Sequence, residues 1–134
     1  MSRRKPVSIE KTAPEEGRPL RRGDIVWIGC DPSVGAEPSK TRTCVVVSND
    51  VANELARTIS VAPTRAYTAD RAARAFMVDL RKPRSTMEAA RVANASAVMT
   101  YDKSRVVSRA GRVHPAAMVK LDAALALHLG LKAV

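Results

Sequence analysis

An arginine and a hydroxyl stand where short β-branched stretches meet polar sequence. Arg42 follows the polar run Cys30–Thr41, which is broken by Pro32, Gly35 and Pro38, and it leads into Cys44–Val47. Thr64 follows the stretch Thr58–Pro63. An arginine between a polar loop and a rigid strand offers a planar fork of donors to an anion. A hydroxyl nearby can hold the same phosphate. These groups suit metal-free cleavage of RNA. The ribose 2′-hydroxyl is then a nucleophile supplied by the substrate itself. The protein has to orient it, stabilise charge on the crowded phosphorus and help the 5′-oxygen leave. By residue type alone, an arginine and a threonine at strand ends are more commonly structural.

Other chemistries find less support. His114 adjoins Pro115 at a helix start, where an imidazole can cap. His128 falls near the end of the same helix, where the dipole favours a cation. Neither reads as half of a catalytic histidine pair. No GxSxG, HExxH or GxxxxGK[ST] motif occurs. Asp24, Asp31, Glu37 and Asp50 are scattered and form no obvious metal site. Cys30 and Cys44 make no CxxC, so a zinc site is unsupported. No metal or cofactor is expected.

The elements that must position Arg42 and Thr64 come from one domain of 134 residues. Hydrophobic residues make up 46% and aromatics only 3%, so the core is aliphatic and base stacking is an improbable main recognition device. The formal net charge is +10, from 23 Lys and Arg against 13 Asp and Glu, and it predicts a polyanionic partner. No run approaches the ~20 apolar residues of a membrane span. The charged N-terminus lacks the apolar centre of a secretory leader, so reduced thiols and a cytoplasmic location are expected.

Residues 1–20 read as a disordered basic tail and residues 21–134 as the folded domain. Asp24–Gly29 and Thr43–Ser48 read as strands. Asp50–Ala56 reads as a helical turn or two with Val51 and Leu55 inward, capped by Asn49 or Asp50. Thr58–Pro63, Ala75–Leu80, Arg91–Ala95 and Arg105–Val113 are further strands, the last with a bend or bulge at Gly111. Arg65–Arg74 and Arg81–Glu88 are basic loops. A helix opens at His114-Pro115, places Met118, Leu121, Leu125 and Leu129 on one face, and ends at Gly130. The class is α+β, a small mostly antiparallel sheet or barrel with a C-terminal amphipathic helix.

Several blocks together resemble a known family. Gly23-Asp24-Ile25-Val26-Trp27, Asp31-Pro32, Gly35 with Glu37, Arg42 and Val45-Val46-Val47-Ser48 are similar to the opening of MazF/PemK toxins of type II toxin–antitoxin systems. The resemblance runs on through Thr58–Thr64, Ala95–Lys103, Gly111-Arg112-Val113 and Leu129-Gly130-Leu131. It implies a strongly twisted SH3-like barrel of the CcdB/PemK type, a homodimer, and sequence-specific, metal-independent cleavage of single-stranded RNA. It puts the family's catalytic arginine on Arg42 and its threonine on Thr64, with Glu37 as a base or arginine orienter. Two departures stand out. Thr43 replaces the usual proline after the arginine, and Ser96-Ala97-Val98-Met99 lacks the Gln-x-Arg unit common before the Asp102-Lys103 pair. Asn94-Ala95-Ser96 instead resembles an Asn-x-[ST] variant.

Lys40, Arg65, Arg71, Arg74, Arg81, Lys82, Arg84, Asn94 and Ser96 are the candidate RNA contacts. The same basic surface would suit the acidic C-terminal segment of a cognate antitoxin. Two alternatives stay open. One is a gyrase poison of the CcdB type, disfavoured by the ending Leu131-Lys132-Ala133-Val134, which lacks a terminal Trp-Gly-Ile. The other is a non-catalytic RNA-binding barrel.

Overall fold

The computed structural model describes residues 18–29, 41–81, 86 and 89–131. Among them are strands β1 (Asp24–Gly29), β2 (Thr41–Val46), β3 (Thr58–Ala66), β4 (Met77–Asp79), β5 (Arg91–Asn94), β6 (Met99–Asp102) and β7 (Val106–Arg112). Helices α1 (Asp50–Leu55), α2 (Ala69–Ala72) and α3 (Pro115–Leu129) are interspersed, with 3-10 turns at Ala95–Ala97 and Lys103–Arg105. The strands pair antiparallel in the order β4-β5-β3-β2-β1-β7, and β6 also pairs with β3. This is an antiparallel sheet with a C-terminal helix, as expected.

The expected closed barrel is not seen among the described residues, where β4 and β7 stand at opposite ends of the sheet. One physical reason lies in β4. Phe76 has φ of +69°, a conformation that interrupts extended chain and costs a bulky residue strain. Asp79 then accepts from the Arg81 backbone N–H and turns the chain. The expected strand Ala75–Leu80 is therefore cut to three residues, too short an edge to complete a ring. Beyond it, Thr86 exchanges two hydrogen bonds with Arg112 on β7.

β3 is the spine of the sheet. Its first half pairs with β6 up to Val61, and its last three residues pair with β5 from Thr64. Pro63 falls in the gap between these partners, where its missing N–H removes no ladder bond to either. The proline therefore does not end the strand, which continues three residues further than its sequence suggests.

Both faces of β1, and of β2 from Thr43 onward, are mostly buried. Ile25 and Val45 join Val78, Leu80, Ala93, Ala117, Leu121 and Leu125 beneath α3. Val26, Ile28, Cys44 and Val46 join Ile59 and Val61 on the other side. Alternation along each strand separates the two sets. Cys44 is a buried thiol, whereas Cys30 lies outside the described residues.

The helices bear out their caps better than their inward faces. Asn49 caps α1 by accepting from Ala52 N–H, but Val51 and Leu55 are 67% and 79% exposed. Asn53 is buried instead, donating to the Ser48 carbonyl and accepting from the Ser48 hydroxyl. His114 Nδ1 accepts from Ala116 N–H at the start of α3, and Gly130 ends it with φ of +74°. Leu121 and Leu125 are buried as expected, while Leu129 is exposed.

One polar staple holds the first and last strands to the N-terminal turn. Asp24 is buried, and accepts from Arg21 N–H at 2.8 Å, Arg109 at 2.7 Å and Arg112 at 2.5 Å. The bulge expected at Gly111 is present: Ile25 faces Gly111 and Val26 faces Arg109, leaving Ala110 without an opposite number.

Candidate functional site

Arg42 and Thr64 come to neighbouring positions because β2 and β3 pair antiparallel with Cys44 opposite Pro63. One further step in that register brings Thr43 against Thr64, and their hydroxyl oxygens lie 2.5 Å apart. Arg42 is the next residue along β2. Successive side chains leave opposite faces of a strand. Arg42 therefore shares the face of Cys44, while Thr64 lies on the face of Thr43. Arg42 is exposed and has no bonded partner among the described residues. Arg65, the residue after Thr64 on β3, is also exposed.

Thr64 is the opposite case, at 6% exposure. Its Oγ1 lies 3.2 Å from the Thr43 carbonyl, to which it donates, and it accepts from Arg91 Nε at 2.9 Å. A hydroxyl has one proton to donate and two lone pairs to accept with. With the proton on the Thr43 carbonyl, the Thr43 hydroxyl must be the donor in the close pair. Thr64 then uses all three of its capacities. Thr43 is 1% exposed, so the residue after Arg42 is packed and bonded rather than loose.

Arg91 enters this group through β5. It sits opposite Ala66, two residues from Thr64 on the same face of β3, which is the diagonal reach of a long cross-strand side chain. Besides the Thr64 hydroxyl, its terminal nitrogen donates to the Thr64 carbonyl at 3.1 Å. Burial pushes its pKa down, and the charge of Arg71 pushes it further the same way. Arg71 in turn donates to the Ala66 carbonyl at 2.9 Å. No carboxylate pairs with Arg91 among the described residues.

The other candidates divide by what already holds them. Arg81 is bonded to Asp79 and lies 3.6 Å over the Tyr67 ring, and the Asp79 hydrogen bond raises its pKa. Arg74 pairs with Asp70 at 2.8 Å on the surface. Asn94 accepts from the Ser96 N–H and hydroxyl and so starts the 3-10 turn at Ala95. Arg65–Arg74 is not a plain loop: Thr68 caps the short helix α2 by accepting from Arg71 N–H. Glu37, Lys40, Lys82 and Arg84 lie outside the described residues.

Two members of the group, Thr43 and Arg91, were not among the candidates. A threonine at a buried strand position carries a weak signal, because its hydroxyl needs a partner. Arg91 carries none, since its contact with Thr64 spans 27 residues and depends on the β3–β5 register.

Comparison with known proteins matches residues 21–129 to the family described as PemK-like, MazF-like toxin of type II toxin-antitoxin system. Endoribonuclease MazF9 of Mycobacterium tuberculosis is 34% identical over 117 residues, covering 84% of this chain and 98% of the relative. Endoribonuclease EndoA of Bacillus subtilis is 29% identical over 112 residues, covering 84% and 96%. The MazE-MazF structure from Deinococcus radiodurans superposes with a TM-score of 0.72 at 19% identity, over 84% of this chain and 97% of that one. A mycobacterial endoribonuclease bound to its cognate antitoxin gives 0.66 at 20% identity, over 87% and 99%.

Proposed function

We propose a function from the family to which this chain belongs, the PemK-like, MazF-like toxins of type II toxin–antitoxin systems. It is an endoribonuclease that cuts single-stranded RNA at preferred sequences and thereby arrests growth. The observation that carries this reading is the β2–β3 corner, where Arg42, with no bonded partner among the described residues, stands one residue from Thr43, whose hydroxyl meets that of Thr64, in a family-matched domain. Curated relatives covering 84% of the chain are named endoribonucleases, which supports it.

In this mechanism the ribose 2′-oxygen attacks the adjacent phosphorus and the bond to the 5′-oxygen breaks. The products are a 2′,3′-cyclic phosphate and a 5′-hydroxyl. The 2′-proton passes to a base, for which Glu37 is the proposal, and a proton returns to the departing 5′-oxygen. Arg42 grips the non-bridging oxygens through its donor fork and stabilises the charge that builds on them. Thr64 leaves the opposite face of the strand pair, so in this reading the long Arg42 side chain reaches round the exposed end of β2 to the phosphate to which Thr64 donates on giving up its bond to the Thr43 carbonyl. None of these steps requires a metal.

The remaining expectations belong to the same reading. The chain forms a homodimer, residues 21–134 are the toxin domain, and the sheet carries the strong twist of the SH3-like type without closing into a ring among the described residues. RNA backbone contacts come from Arg65, Arg71 and Arg74, together with Lys40, Lys82 and Arg84. Asn94 and Ser96 contact RNA beside the 3-10 turn. Arg81, already held by Asp79 and Tyr67, gives a weaker contact. A cognate antitoxin with an acidic C-terminal segment competes for this surface.

Replacing Arg42 with alanine tests the assignment. Loss of one transition-state donor of this kind costs on the order of 10²–10³ in rate. A purified Arg42→Ala protein that cuts RNA at the parent rate would remove Arg42 from the mechanism.

A further inference from the structure

We infer that Arg91 is a second phosphate-binding arginine of this site, held in place by the Thr43–Thr64 hydroxyl pair. The inference rests on the RNA-cleaving reading above. A guanidinium has five N–H donors in a fixed plane. Arg91 commits one to the Thr64 hydroxyl and one to the Thr64 carbonyl. The remaining donors have no partner among the described residues. Because two donors of the fork are fixed on one residue of β3, the direction of the others is fixed as well.

Charge points the same way as geometry. Arg91 is half-buried, has Arg71 as a like-charged neighbour and has no carboxylate opposite it among the described residues. A cation in that position is costly until an anion arrives. Arg74 and Arg81, by contrast, already have Asp70 and Asp79. The hydrogen-bond inventory of Thr64 adds an independent reason. Its hydroxyl is fully used within the protein, so a phosphate reaching this face meets Arg91 donors before it can take the threonine proton. Thr43 is essential to that arrangement, because its hydroxyl and its carbonyl both engage Thr64.

The test uses a fully 2′-O-methylated single-stranded oligonucleotide of mixed sequence, which binds but lacks the nucleophile. Affinity is measured over a range of salt for the parent, Arg91→Gln and Arg91→Lys. Each phosphate contact on a single strand contributes about 0.7 to the slope of log affinity against log salt. Arg91→Gln is expected to flatten the slope by about that amount. Arg91→Lys keeps the charge and the slope, but without the fork it cuts unmodified RNA at least about tenfold more slowly. A folded Arg91→Gln protein with the parent slope overturns the inference. If melting shows that Arg91→Gln does not fold, the lysine variant decides, and parent-rate cleavage by it overturns the inference. A parent that binds the oligonucleotide but cuts no RNA defeats the endoribonuclease reading instead, and leaves the slope comparison as a test of Arg91 alone.

Discussion

At the scale of single residues, the site is governed by where one proton sits. Thr64 can serve a phosphate only by releasing the Thr43 carbonyl, so its hydroxyl is a tethered donor rather than a loose one. Thr64→Val strands both the Arg91 Nε–H and the Thr43 hydroxyl. Leaving a buried polar group unsatisfied costs about 1–3 kcal/mol, so denaturant unfolding should show a loss in that range, along with reduced cleavage. The pair should also be non-additive. A double-mutant cycle on Thr43→Val and Thr64→Val is expected to give a coupling of at least about 0.5 kcal/mol, and additive losses would mean the two hydroxyls do not depend on each other. Arg42 and Thr64 stood out in the sequence as candidates because the blocks flanking them are short and contiguous. Arg91 was not, because a register between distant strands, and nothing local, aims it at Thr64.

At the scale of elements, the fold rests on a polar staple and an apolar seam. Asp24 joins β1 to β7 through Arg109 and Arg112, and the Asp24 side chain is 9% exposed against 48% for Arg112. Asp24→Ala removes the carboxylate that Arg109 and Arg112 share. The loss in unfolding free energy should be about 3 kcal/mol, the low end for breaking a buried pair because Arg112 is half in water. Under α3, Leu121 is fully buried, and Leu121→Ala should cost about 2–5 kcal/mol by the same measurement. A smaller effect belongs to the 3-10 turn at Lys103–Arg105. The Ser104 backbone and side-chain donors hold the Asp102 carboxyl below its ordinary pKa. A folded pKa below the unfolded one stabilises the protein fully above about pH 4 and loses that contribution as pH falls through the lower value. Asp102→Asn should therefore flatten the acid limb of the stability curve. The caps of α1 and α3 were legible because caps are local chemistry, and so was the Gly111 bulge. The extent of β3 and β4 was not. Pro63 is tolerated because β3 changes partners there, and Phe76 shortens β4 through a backbone angle that its side chain does not announce.

At the scale of the whole molecule, the +10 charge would favour binding of a polyanion, and the proposed RNA surface would lie on the antiparallel sheet. A homodimer predicts a solution mass about twice 14.4 kDa, which light scattering can read directly. No helix among the described residues is long and apolar enough to cross a membrane. Composition pointed to a polyanionic partner, while the side of the sheet proposed to meet it depends on strand alternation at β2 and β3. The central claim is that the protein breaks RNA by attack of its own 2′-hydroxyl, without a metal. End-group analysis of RNA cut by the purified protein in excess EDTA tests it most directly. The account predicts undiminished cutting, with 2′,3′-cyclic phosphate on one fragment and a 5′-hydroxyl on the other. Loss of cutting in EDTA, or fragments carrying 5′-phosphate, would contradict it.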